Sequence, residues 1–353
     1  MDGVQRRAPP PAQGGRRKRG EPAEPAPERP ALAPDLSSRG GDSPRDTWRD
    51  RGDADMGAAL GARRPEEPMA DDRRTILVTG ATGKQGGATL RHLAPKGAFR
   101  LRAMTRKPGG DAAKALAALG AEVVQGDLDD PASLERALAG CWGVFAVQNT
   151  WEAGVEREEE QGKRLAQLAR DAGVQHFVYS SVGSAHLRTG IPHFDNKARV
   201  EQRVRGLGFS SHVILRPVFF MENLVSPWFL QGDALVTALR PATKLQMIAS
   251  DDIGRFAAQA FTEAEKWNGT ETDLAGDAAT MPEAAEAVSE IVGRGITVQQ
   301  IPVEAVRANS ADFAAMLEWF DRVGYSADIP SLEPRWGIRP MTLREWARHQ
   351  RRR

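Results

Sequence analysis

The sequence predicts an α/β protein: a doubly wound parallel sheet covered by helices on both faces, with a smaller α/β region toward the C-terminus. Three observations predict it. From residue 75 onward, short apolar runs alternate with segments of helical length, the pattern of successive strand–helix–strand units. The opening run, Ile76-Leu77-Val78, is apolar at every position, as expected of a strand buried on both faces. Gly80, Gly83 and Gly86 follow at once, and the segment Ala88 to Leu93 continues as a helix.

That strand–turn–helix stretch, TILVTGATGKQGG, has the parts that hold a dinucleotide pyrophosphate. Glycines let the backbone turn tightly and approach phosphate, and a helix N-terminus offers unpaired N–H donors with a partial positive charge. Thr82, Lys84 and Gln85 lie within the turn and join the glycines as expected contacts. The spacing is G-x-x-G-x-x-G, and glycines also mark ordinary turns, so the flanking strand and helix carry the reading.

Composition narrows the class. A net charge of +1 over 353 residues gives no general attraction to nucleic acid or to an anionic membrane surface. One cysteine, Cys141, excludes an internal disulfide framework and fits a reducing cytosol. It opens an apolar run and reads as a buried, inert thiol. No run approaches the roughly 20 apolar residues of a membrane span, and the start lacks the apolar core of a secretion signal. The expectation is a cytoplasmic protein. Six scattered histidines show no metal-ligand spacing, so no metal is expected.

Residues 1 to about 72 read as a disordered tail. The first 68 hold 11 of the 23 prolines and no isoleucine, phenylalanine or tyrosine, too little apolar surface to offset the entropy of ordering. Arg16-Arg17-Lys18-Arg19 reads as a solvated basic run rather than a nucleic-acid patch. Met69, six residues before the first strand, is the expected natural start, with Met56 the second choice.

Phe99 to Arg106 carries apolar residues at odd positions and reads as the second strand, ending where ribose specificity is usually set. An acidic residue there would accept hydrogen bonds from the 2′-hydroxyl of NAD. Here the strand ends in Arg106-Lys107 without an adjacent carboxylate, and arginine's planar fork suits the 2′-phosphate of NADP. NADP(H) is therefore preferred, with NAD(H) the alternative and a solvated strand end the bland one.

Asp111 to Leu119 is a helix and Ala121 to Gln125 the third strand. Asp127 and Leu128 follow at its carboxyl end, the edge where open α/β sheets bind ligands. Asp127 either accepts from the adenine amine or merely turns the chain. Pro131 to Ala139 is a helix, and the fourth strand runs to Val147, with Gln148 and Asn149 at the same edge. Glu156 to Ala172 is a helix with Leu165 and Leu168 inward and its charges on a solvated face. His176 to Ser181 is the fifth strand, its closing serines (Ser180 and Ser181) above the expected nicotinamide position. In His193-Phe194-Asp195-Asn196-Lys197, His193 and Lys197 lie four apart, on one face of a helix.

Together these stretches resemble the NmrA-like group of atypical short-chain dehydrogenase/reductases, which includes the HSCARG redox-sensor proteins. TGATGKQGG, MTRKP, GDLDD, AGVQHFVYSSV and HFDNK carry the resemblance, then LRPVFFMENL, DDIGRFAA, TDLAGDAAT and WFDRVGY with TLREWAR. It spans roughly Thr75 to Arg348. It implies a Rossmann-type domain over residues 73–217, rejoined by 246–276, and a smaller region from 218–245 and 277–350. It implies NAD(P) held by Gly80, Gly83, Gly86 and Arg106, with Lys197 near the nicotinamide ribose. Catalytic members use a Tyr-x-x-x-Lys pair in which lysine lowers the tyrosine pKa. Here His193 occupies the tyrosine position. Histidine titrates near neutrality and is a candidate acid or base, though a cation beside Lys197 would be disfavoured.

His212 to Pro217 is the sixth strand. In the resembled group the run after it lines the cleft, making Pro217, Phe220 and Asn223 candidates, while Phe219, Phe220, Trp228 and Phe229 also suit core packing. A carboxylate of Asp251-Asp252 is placed to cap the next helix. Thr272 to Gly276 is the seventh strand, and Thr280 with Glu283 forms a capping box for Met281 to Val292. Ile296 to Ile301 is a strand. Met316, Leu317, Trp319, Phe320 and Trp346 are the expected core of the last helices.

Two functions follow. Nucleotide occupancy reports redox state to a regulatory protein partner, or a reductase passes hydride from NADPH to a small quinone, carbonyl or imine. The replaced tyrosine tilts the sequence toward sensing; the complete cleft and Lys197 keep the reductase open. A nucleic-acid partner is the remote third.

Overall fold

The structure is a computed structural model that describes residues 72–351. The expected tail, its Arg16–Arg19 run and both candidate starts lie outside the described residues. Thirteen strands occur among the described residues. The first six are β1 Thr75–Val78, β2 Arg100–Thr105, β3 Glu122–Gln125, β4 Cys141–Ala146, β5 His176–Ser180 and β6 Ser211–Pro217. Then come β7 Phe219–Phe220, β8 Leu230–Gln231, β9 Ala234–Thr237 and β10 Leu245–Ile248. The last are β11 Glu271–Leu274, β12 Asp277–Ala279 and β13 Thr297–Gln300.

Seven of them form one sheet in the order β11-β6-β5-β4-β1-β2-β3, every pair parallel. Full burial of β1 and β5 fits the apolar centres of both, Ile76-Leu77-Val78 and Phe177-Val178, since helices cover both faces. The chain winds outward from β1 to β3, then returns to place β4 on the other flank of β1. That reversal opens a crevice at the carboxyl ends of β1 and β4, where ligands of such sheets bind. Thr79 ties the two ends together: its Oγ1 donates toward the Phe145 carbonyl at 3.2 Å and accepts from Val147 N at 2.9 Å. The fold is the doubly wound Rossmann-like arrangement predicted.

Two small sheets stand beyond β6: β12-β10-β7 and β13-β9-β8. A second apolar cluster fills them and includes Phe219, Phe229, Met316, Leu317, Trp319, Phe320 and Trp346. Strands of two to four residues here carry no visible alternation, and β7 to β10 and β12 were not anticipated. The helix Ile329–Trp336 was also missed, because Pro330 and Pro334 mask its helical pattern.

One expected cap is corrected. The helix Ser250–Thr262 has Ala249 at its N-cap position. Its first N–H instead meets the Glu222 carboxylate, which accepts from Ser250 N at 3.0 Å and from the Ser250 hydroxyl at 2.8 Å. Asp251 is turned to His92 at 3.0 Å; this hydrogen bond, with Arg91 behind it, holds its carboxyl at about 2 against the cost of burial. Asp252 accepts from Met341 N at 2.7 Å. The Thr280–Glu283 capping box forms as read. Cys141 is buried, and burial pushes its thiol up.

Candidate dinucleotide and substrate cleft

A cavity of about 1050 Å³ follows the carboxyl edge of the sheet, from the glycine turn to the second apolar cluster. At one end Gly80 adopts φ +55°, a left-handed conformation that favours glycine, and Gly83 N–H donates to its carbonyl at 2.9 Å. Gly86 sits so close beneath that an added Cβ would lie 2.4 Å from Gly80 O and 2.7 Å from Thr79 O. The helix Lys84–Leu93 starts there without a side-chain cap, so its first N–H groups face the turn. The cradle fits a pyrophosphate, and the cleft beyond it holds polar groups in need of partners. Both amide atoms of buried Gln148 and the Ser181 hydroxyl have no hydrogen-bond partner among the described residues. A dinucleotide fits this set.

Past the glycine turn, where the sequence placed the ribose, Arg106 and Lys107 follow β2 and line the cavity. The sequence showed no adjacent carboxylate, yet the fold brings one: Glu152, on the short helix Thr150–Ala153, pairs with Arg106. Asp127 lines the cavity while its Oδ1 accepts from Asp129 N at 3.0 Å, so the carboxylate also turns the chain.

At the inner end, the helix Pro192–Gly206 carries His193 and Lys197 on one face, both nearly buried. Lys197 Nζ donates to Glu158 Oε1 at 2.7 Å. Glu158 belongs to the helix Val155–Asp171 whose charges were expected in solvent; this one is 1% exposed. Its other oxygen accepts from Asn196 Nδ2 at 2.9 Å and from the Thr150 hydroxyl. Burial alone would raise the Glu158 carboxyl; the Lys197 ammonium and these hydrogen bonds outweigh it and hold the group below the usual range.

His193 has a carboxylate of its own. Asp312 Oδ1 accepts from the His193 backbone N–H at 3.0 Å, serving one of the unpaired donors at that helix start. Asp312 Oδ2 lies 2.5 Å from His193 Nδ1, although neither atom makes a hydrogen bond among the described residues. His193 and Lys197 thus face separate carboxylates, Asp312 and Glu158. No described protein group bonds His193 Nε2. Trp151 lies over the imidazole with centroids 5.2 Å apart, and Phe313 meets Trp151 edge-on at 5.7 Å.

Every position expected to touch cofactor or substrate lines this one cavity except Ser180. Ser180 is fully buried and donates to Gln85 Oε1 at 2.5 Å; its neighbour Ser181 reaches the cavity instead. Of the four aromatic residues after β6, Phe219 and Phe229 are core, Phe220 is half-buried at the cleft, and Trp228 is 68% exposed at its rim. Glu158 was legible in principle, because it stands seven residues before inward-facing Leu165 on the same helical stripe. Asp312 was not: it lies 119 residues from His193.

The site is a nucleotide-type cleft on a Rossmann-like sheet, and comparison with known proteins gives its family. The NmrA-like family pattern matches residues 72–349, and the chain belongs to that family. An NmrA-like family domain-containing oxidoreductase, notA of an Aspergillus species, is 33% identical over 270 residues, covering 69% of this chain and 79% of that protein. Among solved structures, an NADPH-dependent quinone oxidoreductase of Escherichia coli complexed with NADPH matches with a TM-score of 0.66 and 26% identity, covering 78% of this chain and 99% of that one. The negative transcriptional regulator NmrA in complex with NAD matches with a TM-score of 0.61 and 24% identity, covering 79% and 91%. Among the described residues no helix is long and apolar enough to cross a membrane.

Proposed function

We propose that this protein is an NADPH-dependent reductase of a small quinone, carbonyl or imine. The observation that carries the reading is the His193–Asp312 pair in the position of the tyrosine, one helical turn from Lys197. The glycine cradle and the helix at Lys84 hold the pyrophosphate, and Arg106 takes the 2′-phosphate. Lys197 keeps N–H donors free after bonding Glu158 and directs them to the nicotinamide ribose. When bound, NADPH supplies the hydride. Asp312 lies against the Nδ1 edge of the imidazole, and Nε2, which no described protein group bonds, gives the proton that completes reduction. Water then restores the imidazole proton. The oxidoreductase naming of relatives and the NADPH-bound structural neighbour support this reading. Nucleotide sensing without chemistry is favoured by the likeness to NmrA with NAD.

The test follows NADPH consumption with a panel of quinones, aldehydes and imines, using wild-type protein, H193F, D312N and D312A. The amide introduced by D312N keeps the oxygen that caps the helix but loses the charge, so this variant should fold normally. We expect it to lower kcat by roughly 10- to 100-fold with little change in KM for NADPH. NADPH binding without consumption by any panel member would overturn the reductase reading and leave sensing.

A further inference from the structure

The contact between Arg106 and Glu152 is more than a surface ion pair, because of where it runs. Arg106 directly follows β2 and Glu152 follows β4, while β1 lies between those strands. The pair therefore crosses the carboxyl edge over β1, the line a dinucleotide must occupy, and both residues line the cavity. Both side chains are half-exposed, at 61% and 51%, so the contact remains open to exchange.

The backbone that carries Glu152 is held there by its neighbours. Asn149 caps the short helix, its Oδ1 accepting from Trp151 N at 3.2 Å. Thr150 is anchored by the buried Glu158 carboxylate, and Trp151, 55% exposed, touches His193 and Phe313 with its ring. Three consecutive residues thus touch the lysine's partner, the imidazole and the ribose-end arginine.

We propose that Glu152 is a specificity-determining residue that competes with the cofactor's 2′-phosphate for Arg106. A 2′-phosphate binds Arg106 only by displacing this carboxylate, which also repels it. A ribose bearing a 2′-hydroxyl does not compete, and meets a carboxylate able to accept from it. Glu152 thus weakens NADPH and narrows the gap between NADPH and NADH that Arg106 creates. The inference rests on the dinucleotide reading of the cleft.

The experiment is calorimetric titration of the full chain with NADPH and with NADH, for wild type, E152Q, R106A and the double variant. E152Q is expected to tighten NADPH by roughly three- to tenfold and to move NADH less than twofold. In the R106A background the same substitution should change NADPH much less, because the contested partner is gone. Unchanged or weaker NADPH binding in E152Q, with wild type binding normally, would overturn the inference alone. No binding of either nucleotide by any of the proteins would overturn the cofactor reading and this inference with it.

Discussion

Gly86→Ala should weaken NADPH by roughly 100-fold or more and lower stability by about 2–4 kcal/mol. The added methyl would meet three backbone atoms, Gly80 O at 2.4 Å, Gly80 C at 2.7 Å and Thr79 O at 2.7 Å. Backbone cannot rotate aside as a side chain can, so the turn must open, displacing the N–H groups at the start of the helix Lys84–Leu93. Gly83→Ala is the control: its Cβ would lie 3.2 Å from Gly80 O, a contact relieved by a few tenths of an ångström. Calorimetric titration and thermal unfolding of both variants check this. Wild-type affinity in Gly86→Ala would show that the turn does not hold the phosphates.

Glu158→Ala should destabilise the protein by about 3–5 kcal/mol, because it strands the Lys197 ammonium in a site 11% exposed. The same change orphans Asn196 Nδ2 and the Thr150 hydroxyl, which share that carboxylate. Its pH dependence has a definite sign. The Glu158 carboxyl is held below its ordinary value of 4.5, so its contribution is complete above that pH and is lost as pH falls. The stability gap between wild type and Glu158→Gln should therefore narrow on acidification. Urea unfolding at several pH values measures it. A cost under about 1 kcal/mol at neutral pH would mean the pair behaves as a solvated one.

The sheet was legible because burial on both faces writes β1 and β4 as largely apolar runs, and the alternation with helices marked the strand–helix units. The glycine turn and the His193–Lys197 spacing were legible because each depends on residues close in sequence. The electrostatics of the site were not. Lys197, His193 and Arg106 each proved to have a carboxylate, supplied by Glu158, Asp312 and Glu152. Only Glu158 left a trace, in its register with Leu165. Asp312 reaches His193 from the distant helix Ala311–Arg322, and Glu152 reaches Arg106 across β1; neither pairing has a local pattern. The small sheets escaped for another reason. Strands such as β7 and β8 have two residues each, too short to show a period.

The most direct test of the cleft as an NADP(H) site is the ratio of NADPH to NADH affinity in wild type and R106A. A preference for NADPH that falls at least roughly tenfold in R106A, with NADH nearly unchanged, is the predicted result. Equal or tighter binding of NADH by the wild-type protein, or a preference indifferent to Arg106, would contradict it.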